Sequence, residues 1–181
     1  MNLANKITLI RVLMIPLFMI ILFFDSKVHN YLATLIFVIA SATDGLDGYI
    51  ARSRNQVTTF GKFVDPLADK LLVSTALISL IQLGKVPAWI VVIIIAREFT
   101  ITGFRIIAAS EGITIAASPL GKIKTITQLI AITVLLIDNF PFSLVNFPFD
   151  IIMLYISLIF TVLSGIDYIY KNRQVLKIDE K

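Results

Sequence analysis

Six apolar runs, roughly residues 7–24, 31–50, 63–83, 87–109, 120–138 and 149–170, take up most of this 181-residue chain. Each is close to the length a helix needs to cross a hydrocarbon core, roughly 17–25 residues. Backbone groups in lipid must be satisfied within the segment, so such runs read as α-helices; barrel strands are about half as long and alternate. The connections are short, at residues 25–30, 52–62, 84–87, 110–119 and 138–148. No repeat, low-complexity tract or linker marks a second domain. The expected architecture is therefore all-α: an integral membrane protein with six transmembrane helices in one bundle, a single membrane-embedded domain over residues 1–181. Composition agrees, with 57% hydrophobic and only 15% charged residues, where soluble domains carry about 25% charged. Disorder, coiled coil and disulfide scaffolds are excluded.

Missing residue types narrow the chemistry. There is no cysteine, hence no thiolate nucleophile and no cysteine-based metal site. His29 is the single histidine, so a conventional histidine base is poorly supplied. The net charge of +4 matters less than where the charges fall. With the N-terminus inside, Lys6, Arg11, Arg52, Arg54, Lys62, Arg105, Lys122, Lys124, Lys171, Arg173, Lys177 and Lys181 gather at the cytoplasmic ends and loops. The other side keeps Lys27 and Lys85, together with His29 and Trp89, the latter read as part of an interfacial aromatic belt. Both termini are thus expected in the cytoplasm, with the chain in the cell membrane. The first segment ends Phe23-Phe24-Asp25-Ser26-Lys27 without a small-residue cleavage pattern, and reads as a retained helix. Phe140–Phe149 is expected in the outer headgroup region and the basic tail from Lys171 against anionic lipid. Asp167 has no partner evident from sequence.

The informative stretch is Ser41–Lys70. Asp44 and Asp47 stand near the cytoplasmic end of the second segment, Asp65 and Asp69 near the start of the third. Spacings of i,i+3 and i,i+4 put each pair on one helical face, and a short loop makes the two helices antiparallel neighbours. Four carboxylates at a membrane boundary repel one another unless cations neutralise them. All-oxygen donors favour Mg²⁺, Mn²⁺ or Ca²⁺ over zinc or copper. Two such ions suit a diphosphate and an in-line displacement at phosphorus. Gly45, Gly48 and Gly61 interrupt the same region, where backbone comes close either to a ligand or to a neighbouring helix.

These residues carry a resemblance. Asp44-x-x-Asp47-Gly48-x-x-Ala51-Arg52, eight residues, then Gly61-x-x-x-Asp65-x-x-x-Asp69 is similar to the full signature of the CDP-alcohol phosphatidyltransferases, with every defining position present. Asn5-x-x-Thr8-x-x-Arg11, Arg97-Glu98-Phe99 with Thr102-Gly103-Phe104-Arg105, and Gly121-Lys122-x-Lys124-Thr125-x-x-Gln128 resemble the branch whose acceptor is glycerol 3-phosphate. The resemblance implies a six-helix fold and a homodimer. It also implies a reaction in which CDP-diacylglycerol and sn-glycerol 3-phosphate give phosphatidylglycerophosphate and CMP. Its expected partners are those substrates and membrane lipid, and no nucleic acid.

By the same resemblance, Asp44, Asp47, Asp65 and Asp69 bind two divalent cations, Mg²⁺ or Mn²⁺, that grip the diphosphate. Asp69, the last acid of the signature, is assigned as general base and is also a candidate metal ligand. Gly48 and Ala51 give the nucleotide room, Arg52 contacts its phosphates, and Gly61 permits close approach. For Arg52 an interfacial anchor or a partner of a nearby acid is the alternative. The acceptor's phosphate requires cations, for which Arg105, Lys122 and Lys124 are candidates with Arg97 and Arg11 behind them. Ordinary positive-inside charge is the alternative for the two lysines, and an internal pair with Glu98 for Arg97. Asn5 and Thr8 share a helical stripe with Arg11 and either line the cavity or cap the first helix. Two other readings are the same chemistry with another acceptor (inositol phosphate, phosphatidylglycerol, serine or choline) and a cation transporter. The acids' place at the cytoplasmic edge and the absence of a repeat count against the transporter.

Overall fold

Each of the six apolar runs folds as an α-helix: α1 (Leu3–Leu22), α2 (Lys27–Ser53), α3 (Thr59–Gln82), α4 (Ala88–Ser110), α5 (Pro119–Leu136) and α6 (Phe149–Lys171). A 3₁₀ turn, Phe142–Val145, interrupts the last connection. The computed structural model describes residues 3–24, 26–53, 59–110, 112–113, 115–116 and 118–174, with the side chains of 3–8, 44–53, 59–66 and 69 outside that description. Boundaries shift in one instructive place. The expected loop over residues 52–62 shortens, because α2 runs on through Arg52 and α3 has already begun before Gly61. Polar, glycine-containing sequence reads as loop by composition, yet here it continues helices whose buried faces lie further along. At the other end α5 stops at Leu136, two residues early, where Asp138 and Asn139 take positive φ values of 55° and 58°. Short polar side chains tolerate that backbone. Asn139 then closes the loop, donating from Nδ2 to the Phe147 carbonyl at 2.7 Å and accepting at Oδ1 from the Asp150 amide at 3.2 Å.

The helices pack as a bundle in which α3 touches α1, α2, α4 and α5, while α6 packs on α5 and α4. One apolar core joins Ile15, Phe18 and Leu22 of α1 to Phe37 and Ala40 of α2, Leu77 and Leu80 of α3, Ile90 and Ile94 of α4, and Leu135 and Leu136 of α5. A salt bridge closes its far end: Lys85 lies 2.8 Å from Asp138 Oδ1 and donates to the Leu135 carbonyl at 3.0 Å. A second, smaller cluster (Ile101, Phe104, Ala108 and Tyr168) sits between α4 and α6 near the opposite end. Asp167, without a partner in the sequence reading, pairs with Lys171 one turn on, at 2.8 Å.

α6 is inside-out by the standard of a water-soluble helix. Its buried residues are Met153, Leu154, Ser157, Thr161, Ser164, Gly165 and Tyr168, small along the middle turns, while Ile159, Val162, Leu163 and Ile166 there are exposed. Small residues let helices approach closely where the surroundings give no hydrophobic reason to bury large ones. The inward hydroxyls need partners and find them on their own helix: Ser157 donates to the Leu154 carbonyl, Thr161 to Ser157 and Ser164 to Thr161, at 2.7–3.1 Å. α5 and α6 are also the described helices long and apolar enough to cross a membrane; α1 and α3 add the shorter apolar stretches Leu9–Leu22 and Lys70–Gln82.

Gly165 is the tightest point of this packing, since a Cβ there would lie 3.2 Å from Arg97 Cγ. Gly165→Leu is therefore expected to force α6 off α4, at a cost of about 1–3 kcal/mol for overpacking. A detergent-solubilised thermal melt should show the midpoint falling by several degrees. An unchanged midpoint would mean that the contact carries no packing constraint.

Candidate active site

The acidic signature lies on the C-terminal part of α2 and the N-terminal part of α3. Asp47 and Asp44 stand about 9 and 14 Å along the axis from the Ser53 end of α2, at a rise of 1.5 Å per residue. Asp65 and Asp69 stand about 9 and 15 Å from the Thr59 end of α3 by the same measure. The two helices pack on each other. The side chains of Asn5, Thr8, Asp44, Asp47, Gly48, Ala51, Arg52, Gly61, Asp65 and Asp69 lie outside the described residues. Among the described residues there is no group of three or more His, Asp or Glu side chains that could hold a metal.

Neighbouring side chains are described. Arg11 of α1 is buried, 1% exposed, and donates from Nε to the Ala40 carbonyl of α2 at 3.2 Å, one turn before Asp44. The sequence reading placed it behind the phosphate-binding cations; the structure adds a role in fixing α1 to α2.

The other cations divide into two groups. Lys124 is 5% exposed and bonds Glu98 Oε1. Arg97 reaches the same oxygen through Nη1 at 2.9 Å, and its Nη2 donates to Ser164 of α6 at 3.0 Å. Lys70 of α3 approaches Glu98 Oε2 at 3.9 Å. One carboxylate thus meets cations from α3, α4 and α5, and Arg97 extends the contact to α6. Arg105 and Lys122, by contrast, are exposed. Lys122 and Lys124 are neighbours in sequence, but two residues along a helix is about 200° of rotation, which sends them to opposite faces.

A small cavity of about 40 Å³ lies between α3, α4 and α5 beside this cluster, with Lys70, Ser74, Glu98, Lys124 and Gln128 in its wall. Gln128 is 2% exposed, sits one turn beyond Lys124, and its Nε2 has no hydrogen-bond partner. Glu98, Lys70, Ser164 and Gln128 were not among the residues singled out from sequence as site candidates. The signal for Glu98 was present, since an acid within an apolar run requires a partner. Lys70 was hidden beside Asp69, and no local pattern links either to Ser164, 66 positions beyond Glu98.

Chemically, this end of the bundle combines an acidic set on α2 and α3 with a partly neutralised basic set on α3, α4 and α5. The first suits hard cations, the second an anion. The family model for CDP-alcohol phosphatidyltransferase matches residues 1–163. A Bacillus subtilis protein named CDP-diacylglycerol–glycerol-3-phosphate 3-phosphatidyltransferase is 51% identical over 188 aligned positions, covering 97% of each chain. Proteins of the same name from Haemophilus influenzae and Rickettsia typhi are 38% and 36% identical, over 93% and 92% of this chain and 91% and 94% of their own. With the acidic signature complete and these matches running nearly end to end, the chain belongs to the CDP-alcohol phosphatidyltransferase family.

Proposed function

We propose that the protein transfers the phosphatidyl group of CDP-diacylglycerol to sn-glycerol 3-phosphate, forming phosphatidylglycerophosphate and releasing CMP. The observation that carries this reading is the 51% identity to the Bacillus subtilis enzyme over 97% of both chains. The finer picture is a single-domain protein of six membrane spans, with both termini and the acidic end facing the cytoplasm of the cell. The supporting facts are six helices of 18–27 residues, the outward apolar face of α6 and the one-sided placement of lysine and arginine. The homodimer is carried forward from the family resemblance, with further membrane lipid around it.

The acidic residues fit divalent cations by their chemistry: four carboxylates, all oxygen donors, on two helices in contact. Asp44, Asp47, Asp65 and Asp69 would hold two Mg²⁺ or Mn²⁺ ions. Bound there, the cations supply Lewis-acid neutralisation of the diphosphate and of the charge growing on the departing CMP. Asp69 takes the proton of the acceptor's primary hydroxyl. That oxygen forms a bond to the phosphorus bearing the diacylglycerol, and the bond from this phosphorus to the bridging oxygen breaks, leaving with CMP. Gly48, Ala51 and Gly61 keep the nucleotide side open, and Arg52 meets its phosphates. Arg97 and Lys124 are the inner cations for the acceptor's phosphate, Arg105 and Lys122 the outer ones, with Arg11 behind the acids and Asn5 and Thr8 along its stripe. Holding both substrates in register is itself worth a large part of the rate.

Purified full-length protein with Mg²⁺, CDP-diacylglycerol and labelled glycerol 3-phosphate should release CMP and yield a labelled phosphorylated lipid. Turnover only with a different alcohol would refute the acceptor assignment. Asp44→Asn and Asp65→Asn should each lower kcat by about 10²-fold or more, as loss of preorganised charge stabilisation does. Chelation should abolish activity and added Mg²⁺ restore it. Asp69→Asn should cost about 10²–10⁴-fold, the range of general acid–base catalysis; near-normal turnover would remove Asp69 as the base. Arg105→Ala should raise KM for glycerol 3-phosphate well beyond its effect on CDP-diacylglycerol, and equal effects would mark a structural role.

A further inference from the structure

Glu98 has no part in the chemistry above, yet it is the point on which the described cations of the inner site converge. Lys124 and Arg97 share its Oε1, Lys70 stands at 3.9 Å from Oε2, and Arg97 is steadied from behind by Ser164. The side chains of Glu98, Arg97 and Lys70 are only 15–18% exposed and that of Lys124 6%. Among the described residues one carboxylate faces three cations here, and positive charge in such surroundings favours an anion that joins it. Gln128 Nε2, in the wall of the cavity beside Glu98 and Lys124, is buried without a partner, so donor capacity is left over there; Arg97 Nε, also unpartnered, faces Gly165 of α6.

We infer that Glu98 is a positioning residue for the acceptor: it draws Lys124 and Arg97 to one point so that their remaining donors meet the phosphate of glycerol 3-phosphate as a preformed pair. A lysine free to rotate would spread over many rotamers and lose much of its binding to the entropy of being fixed. Anchored by one carboxylate, its ammonium keeps two further N–H donors for phosphate oxygens. Glu98 also reaches α3 through Lys70, the residue that follows Asp69. The inference rests on the proposed acceptor.

Glu98→Gln keeps the shape and removes the charge. In the purified full-length enzyme with Mg²⁺, each substrate is varied while the other is held saturating. Glu98→Gln is expected to raise KM for glycerol 3-phosphate tenfold or more, leave KM for CDP-diacylglycerol within about twofold, and be partly rescued by Glu98→Asp. Loss of packing alone would move both constants, or the yield of folded protein, without that split. Should Glu98→Gln fail to fold, Glu98→Asp decides the matter: a shorter carboxylate should still raise KM for glycerol 3-phosphate severalfold and spare the lipid substrate. Equal movement of the two constants, or of neither, overturns the role of Glu98. Wild-type protein inactive with glycerol 3-phosphate but active with another acceptor would instead overturn the functional reading, a result the wild-type control separates from the first.

Discussion

A charge inside an apolar helix bundle must be matched within a few ångströms, because a medium of low polarity neither solvates it nor screens it. That requirement fixes how the inner halves of the helices lie against one another. Glu98 gathers Lys70, Arg97 and Lys124, and Arg97 passes the constraint to Ser164. Arg11 bonds a backbone carbonyl of α2. Every helix from α1 to α6 is joined by at least one of these contacts. Sliding α1 to α5 by a residue would break a contact made by a charged group, and sliding α6 would part Ser164 from Arg97, so the polar contacts help set register where apolar packing alone would leave it loosely specified.

Between such fixed points the helices are free to meet by shape. α6 shows the consequence, turning serine, threonine and glycine inward and isoleucine and valine outward. If burial of large apolar side chains governed those middle turns, their two faces would be exchanged, whereas Met153, Leu154 and Tyr168 are buried nearer the ends. Close approach of small residues is what a lipid-like exterior favours, and it brings Ser164 and Gly165 against Arg97. Packing and electrostatics therefore meet on the same two turns of α6, with Gly165 making room for the arginine that Ser164 holds.

How far the sequence alone reveals this depends on whether a feature is local. Six helices follow from run length, and the acidic pairs from spacing within one turn, because both are periodicities of a single segment. Arg97 and Glu98 announce themselves as charges in an apolar run, and their pairing was foreseen as an alternative to phosphate binding. The partners are another matter. Nothing near Glu98 in the chain indicates that Lys70 and Lys124 share its carboxylate, since that follows from how three helices rotate against each other. Lys122 and Lys124 look equivalent in a basic, glycine-led motif, yet helical geometry buries one and exposes the other. The helix continuing through Arg52 was obscured for a similar reason: composition reports polarity, whereas helix length is decided by what the whole segment packs on.

Among the described residues, the large apolar core and the Glu98 cluster occupy different stretches of the helices. The large apolar core draws on the C-terminal parts of α1, α3 and α5 and the N-terminal halves of α2 and α4. The Lys85–Asp138 bridge closes the far end of that core. At the acidic end the described apolar packing is the small group around Phe104 and Tyr168, set aside between α4 and α6. Four carboxylates near one another would oppose folding if the same residues also had to supply the core. On the proposed reading, a core set on the far side of the Glu98 cluster leaves the neighbouring stretches of helix free for the polar contacts that cations and a phosphate require.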